Sequence, residues 1–177
     1  MTEINKKRLM FVKGEDFYFM SYNTFLLLDI LNCKSSDKVF KDYKKLSFLI
    51  DFVSNPLLTE ILSNSKSKHN LSIYDKELLN EAYGNGVTRM AHFKRLLFSL
   101  EKKEFIGLVK NQKRNTIDIY LNPEGDINFL RNEEIFYIER KNAEIVKSSI
   151  PRLTILKLEN VLSNLFNNFG ITTWPIS

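Results

Sequence analysis

The chain holds 177 residues, 44% of them hydrophobic and 27% charged, with a net charge of +5. That length suits one domain, or one module with helical extensions, and the composition excludes a disordered polymer. One cysteine, Cys33, and two histidines, His69 and His92, exclude an intramolecular disulfide and a zinc site of the usual Cys/His kind, so no metal and no cofactor are expected.

A lone thiol suits a reducing compartment. Residues 2–8 lead into no apolar signal core. The most apolar stretch, residues 24–31, is interrupted by Asp29 and is far short of a membrane span. A soluble, cytoplasmic protein without membrane contact is the expectation.

In chain order, residues 9–12 suggest a short strand ending at Gly14, and residues 17–32 an apolar helix. Polar residues 34–37 offer helix N-caps. A helix over residues 38–54 would place Tyr43, Leu46, Ile50 and Val53 on one side, with Lys41, Lys44, Lys45 and Asp51 on the other. Asn55-Pro56 breaks or restarts it, and residues 57–62 form a further helical piece. Residues 63–70 are the clearest loop and close an N-terminal helical region, residues 1–70.

Residues 71–125 carry the most information. A short helix over 75–83 is followed by Gly84-Asn85-Gly86, which reads as a tight turn using positive φ angles. A helix over 87–103 then turns Met90, Phe93, Leu96, Leu97 and Leu100 inward and Thr88, His92, Arg95, Ser99 and Lys102 outward. Two extended segments follow, 106–110 and 116–121. In the second, Ile117, Ile119 and Leu121 alternate with Thr116, Asp118 and Tyr120. Their connection, residues 111–115, carries Lys113 and Arg114 at its tip.

Helix, turn, basic-faced helix and hairpin is the order of a winged helix-turn-helix. The predicted fold is mostly α with a small β-hairpin wing and flanking N- and C-terminal helices. Charge supports the same segment. Residues 89–115 hold Arg89, Lys94, Arg95, Lys102, Lys103, Lys110, Lys113 and Arg114 against only Glu101 and Glu104, a larger positive excess than the whole chain carries.

Residues 126–177 read as a helical extension. A helix over 132–148 would line up Ile135, Ile138, Ile145 and Val146, although 134–139 also fits a strand. After Pro151, a helix over 153–169 would gather Ile155, Leu158, Leu162, Leu165, Phe166 and Phe169 on one face. The tail, Trp174-Pro175-Ile176, holds the only tryptophan.

Catalytic patterns are missing from this reading. Gly84-Asn85-Gly86-Val87-Thr88 lacks the Gly-Lys-Ser/Thr of a phosphate loop. Asp75, Glu77 and Glu81 have no partner base, and the serines and histidines form no nucleophile arrangement. No catalytic residue is assigned, and the chain is not expected to be an enzyme. Arg95, Lys102, Lys113 and Arg114 are the candidates for phosphate contact, with Thr88, Arg89 and His92 placed to reach base edges. The same face also fits a solvated surface or a protein contact, and Phe98 beside it suits the latter. Leu158, Leu162, Phe166 and Trp174 are the candidates for partner binding. The apolar stripe from Ile155 to Phe169, which holds the first three of them, also fits the chain's own core or an oligomer seam.

Two runs, residues 44–58 (KKLSFLIDFVSNPLL) and residues 96–108 (LLFSLEKKEFIGL), with overall size, carry a resemblance. The chain resembles the middle components of bacterial ABC three-component defence systems, the group that includes the small accessory subunit of Lamassu-type anti-phage and anti-plasmid systems. The likeness covers roughly residues 39–121. It implies a winged-helix adaptor between an SMC-like ATPase that senses foreign DNA and an effector, often a nuclease. Double-stranded DNA is a further candidate partner. The competing reading is a free-standing transcription regulator that pairs two copies through the stripe at Ile155 to Phe169.

Overall fold

The computed structural model describes residues 17–64, 71–125 and 133–175, so the predicted strand at 9–12, His69 and most of the loop at 63–70 lie outside the described residues. The helices are α1 (Phe17–Ile30), α2 (Lys44–Ser54), α3 (Pro56–Ser63) and α4 (Ile73–Lys102). A hairpin of β1 (Ile106–Asn111) and β2 (Thr116–Leu121) follows, then α5 (Glu133–Ser149), α6 (Leu158–Leu165) and a 3-10 turn, Asn167–Phe169. The described residues are mostly helical with one small antiparallel sheet, as expected.

α2 is the axis of the core. Every residue from Lys45 to Val53 is buried, because α1, α4, α5 and α6 all pack against it. A helix enclosed on all sides must satisfy its polar side chains internally. Lys45 and Asp51, expected on the outer side, are therefore inside and partnered. The Lys45 ammonium donates to the carbonyls of Leu153 at 2.8 Å, Thr154 at 3.2 Å and Leu156 at 3.0 Å. It also lies 4.2 Å from the centroid of the Phe40 ring. Asp51 pairs with Arg89.

The break between α2 and α3 is local chemistry. The Asn55 side chain accepts from the Leu57 N–H at 3.0 Å, and Pro56 occupies the first helical position, where its missing N–H costs nothing. The two helices meet at 101°. Among the described residues no single helix is long and apolar enough to cross a membrane.

α4 corrects the largest sequence expectation. It begins at a capping box in which Ser72 and Asp75 exchange hydrogen bonds, and it runs unbroken to Lys102. Gly84-Asn85-Gly86 is helical, not a turn, and none of these residues has a positive φ. The reason lies in packing. A Cβ on Gly86 would overlap the ring of Phe48, whereas one on Gly84 would meet open space. Glycine at 86 lets α2 approach α4 closely enough to bury Phe48 against Tyr83 and Phe166, with ring centroids 5.8 Å and 6.2 Å away. A glycine inside a helix costs about 1 kcal/mol relative to alanine. Burying a phenylalanine stabilises by about 1.5–3 kcal/mol, so the close approach wins.

The hairpin forms as predicted, with Ile106 opposite Leu121 and Gly107 opposite Tyr120. The Tyr120 ring occupies the space a side chain at 107 would need. Ile106, Ile119 and Leu121 turn into the core. Residues 33–43 run along the far side of β2. Phe40 and Ile119 exchange backbone hydrogen bonds at 2.8 and 2.9 Å, Tyr43 N–H donates to the Ile117 carbonyl and Leu121 N–H to that of Cys33. That pairing uses backbone groups a helix would need, so α2 starts at Lys44 and not near 38.

The same competition shortens the C-terminal helix. Lys45 and the Lys41 N–H take the carbonyls of residues 153, 154 and 156, and Arg152 sits at φ 59°. Helix α6 therefore begins at Leu158 and not near 153. Its inward face is part of the chain's core: Leu162, Leu165, Phe166 and Phe169 are buried. In α5, non-helical angles at Phe136 kink the helix. The kink leaves Ile135 and Ile138 exposed, while Ala143, Val146 and Ile150 are buried. One apolar cluster, from Phe19 to Ile171, draws on all three predicted segments, 1–70, 71–125 and 126–177.

Candidate nucleic-acid interface

The structure divides the predicted nucleic-acid contacts into three groups. Arg89 leaves the surface altogether. It is 4% exposed, donates to the Ser47 carbonyl at 3.1 Å and pairs with Asp51. Helical periodicity puts 89 beside the outward residues, but α2 packs over that flank of α4 and claims the guanidinium.

Thr88, Arg95 and Lys102 are exposed along α4, and His92 is half-buried. The Thr88 hydroxyl donates back to the Gly84 carbonyl at 3.0 Å. With no turn at 84–86, these residues lie along the middle and end of one long helix and not at the start of a short recognition helix.

Lys113 and Arg114 form the third group, at the hairpin tip. The tip is braced. Asp118 accepts from the Asn111 side-chain amide at 2.9 Å, the Thr116 hydroxyl at 3.3 Å and the Asp42 N–H at 3.0 Å. Asn115 takes the left-handed conformation the turn requires, φ 52°. Arg114 is further held by donation to the Ile155 carbonyl at 2.9 Å.

Lys113 and Arg114 open onto a cavity of about 800 Å³ between the hairpin tip and the start of α6. Lys44, Lys157, Asp42 and Glu159 add charge to its walls, and Leu158, Leu162 and Trp174 add apolar surface. Two predicted sets, the phosphate contacts of the hairpin and the partner contacts of the C-terminus, thus share one cavity. Phe166, the remaining predicted partner residue, is fully buried. A second cavity, of about 460 Å³, lies between α4 and the hairpin and is lined by Lys94, Phe98, Leu108 and Lys110. It shares Asp42, Lys44, Asn115 and Thr116 with the first. The two make one trough, with six cations facing two carboxylates.

Trp174 is 71% exposed at one end of the trough. Its backbone is anchored, since its N–H donates to the Tyr83 hydroxyl at 2.8 Å and that hydroxyl reaches the Trp174 carbonyl at 3.4 Å. Of the two carboxylates, Asp42 is buried, and burial raises its pKa against the opposing hydrogen bond from Lys44 N–H. Burial lowers Lys45, beneath the trough, to about 7 despite the nearby Asp42 charge. Burial also pushes the Cys33 thiol up to about 11, which makes it a poor nucleophile.

Lys44 and Lys157 escaped the sequence reading of the site. They come from segments more than a hundred residues apart, and no local pattern joins them. Lys94 and Lys110 were visible within the basic block. Comparison with protein-family models, with curated proteins and with solved structures finds no match to this chain.

Proposed function

We propose that this chain is a non-catalytic, nucleic-acid-binding accessory subunit that meets the phosphate backbone through the trough beside its hairpin. The observation that carries the reading is the convergence of Lys44, Lys94, Lys110, Lys113, Arg114 and Lys157 on one continuous surface. A cluster of this kind neutralises phosphates without selecting bases. The long helix α4 followed by its braced hairpin serves as helix and wing, the arrangement of a winged helix with the turn replaced by continuous helix.

The resemblance to the middle components of ABC three-component systems supplies the setting. In that setting the subunit joins an SMC-like ATPase to an effector nuclease in an anti-phage or anti-plasmid complex, and the ATP and nuclease chemistry belong to those partners. Burial of Leu162, Leu165, Phe166 and Phe169 in this chain's core leaves less of the α6 face for a regulator to pair two copies, and equally less for a partner to bind there.

Salt-dependent binding to duplex DNA tests the surface. Each lost phosphate contact should reduce the slope of log affinity against log salt by about 0.9. Lys113→Ala with Arg114→Ala should flatten it by nearly 2, and Arg95→Ala with Lys102→Ala by less. Unchanged slopes in both double variants would overturn the proposal. Co-expression with neighbouring genes tests the setting, where recovery of a homodimer alone would count against an adaptor.

A further inference from the structure

We infer that the trough takes single-stranded nucleic acid, with Trp174 as a stacking platform for a base. The inference rests on the reading above and narrows it. Cations alone would serve any polyanion. What distinguishes this surface is the exposed aromatic group in each of its two halves. Trp174 is 71% exposed and Phe98 48% exposed, and the Lys94 ammonium lies 6.0 Å from the Phe98 ring centroid.

A large indole left in water is unfavourable unless something covers it. This one is not a loose tail. Its backbone is tied to the Tyr83 hydroxyl, and the Tyr83 ring packs on Phe48 and Phe166 at 5.8 and 5.4 Å. The indole is thus presented from a rigid base, so little entropy is lost when a ligand covers it. The two cavities that hold these aromatics are also lined by Lys44, Lys110, Lys113 and Arg114, and Arg114 is already pinned at Ile155.

Base geometry decides between strands. A duplex offers phosphates but keeps its base faces stacked inside, so neither ring would find a partner along its length. A single strand offers both, with phosphates for the cations and free base faces for the rings. An acidic peptide would match the charge and leave the rings without a flat partner.

Trp174 is the only tryptophan, so its fluorescence reports the contact directly. The full chain is titrated with a thymidine oligonucleotide, a duplex of equal length and polyglutamate. The oligonucleotide should quench the emission and bind more tightly than the duplex. Stacking of a base on an aromatic side chain is worth about 1–3 kcal/mol, so Trp174→Ala should weaken oligonucleotide binding by about 5- to 150-fold, and Trp174→Phe should recover part of the loss. The salt slope of Trp174→Ala should not change, because the indole carries no charge. Circular dichroism melting confirms that both variants are folded.

Duplex binding without quenching, or oligonucleotide binding indifferent to Trp174→Ala, would overturn the inference and leave the accessory-subunit reading intact. Tighter binding and stronger quenching by polyglutamate would replace the strand with an acidic protein partner. Failure of every nucleic acid to bind would sink both.

Discussion

Lys44 and Lys45 are neighbours in the chain and belong to different regions of the molecule. Lys44 lines the open trough, while Lys45 is fully buried and donates to three carbonyls. Thr88 and Arg89 divide the same way, one exposed and one paired with Asp51 in the interior. The chain therefore uses basic residues for two purposes. In the interior, a cation organises backbone or a carboxylate and is costly to remove. In the trough, several cations stand close together on open walls, with Arg114 held by the Ile155 carbonyl, and removing one of the lysines should hardly disturb the fold.

The sharpest way to break this contrast is Arg89→Ala. It strands Asp51 without its buried partner, and loss of one member of a buried pair costs about 3–5 kcal/mol. Denaturant unfolding should show the midpoint falling accordingly, and a change below about 1 kcal/mol would return Arg89 to the surface group. Lys45 comes next. Its folded pKa, about 7, lies below the unfolded value of 10.5, so between those values the unfolded chain holds a proton the folded one has lost. Stability should rise with pH across that window, by at most about 1.4 kcal/mol per pH unit. The window is cleanest between pH 7 and 9. Above it Cys33, raised from 9.0 to about 11, acts in the opposite direction, since the folded chain keeps the thiol proton longer. Lys45→Met should abolish the rise.

A smaller pair of effects sharpens the α2–α4 contact that separates the two regions. Gly86→Ala should destabilise by about 1–3 kcal/mol, because Phe48 must give way. Gly84→Ala, with open space around it, should stabilise by up to about 1 kcal/mol through helix propensity. Were this segment a turn using positive φ, the second variant would destabilise as well. The smallest effect belongs to the trough. Lys113→Ala should shift the unfolding midpoint by no more than about 0.5 kcal/mol while flattening the salt dependence of DNA binding.

The elements whose cause is local could be read from the sequence. Alternation of Ile117, Ile119 and Leu121 located β2, Asn55-Pro56 located the α2–α3 break, and threefold and fourfold spacing found the buried face of α4. The misreadings all had distant causes. Gly84-Asn85-Gly86 looks like a turn until Phe48 is seen filling the space over Gly86. Lys45 and Arg89 look solvated until their partners arrive from residues 153–156 and from α2. Helix α6 is shorter than its pattern because Lys45 takes carbonyls from its expected first turn. Four of the six cations of the candidate site were visible as a basic block, and its remaining wall, Lys44 and Lys157, exists only after folding.

The segment that runs along β2 has a consequence for how copies of the chain can meet. A strand with unpaired backbone groups is a template for another chain, and a two-stranded hairpin standing alone would have two such margins. Phe40 and Tyr43 occupy the margin of β2, and on the margin of β1 the Glu101 carboxylate accepts from the Leu108 N–H at 3.2 Å. Among the described residues each margin of the hairpin is thus engaged at its centre, which opposes edge-to-edge stacking of copies.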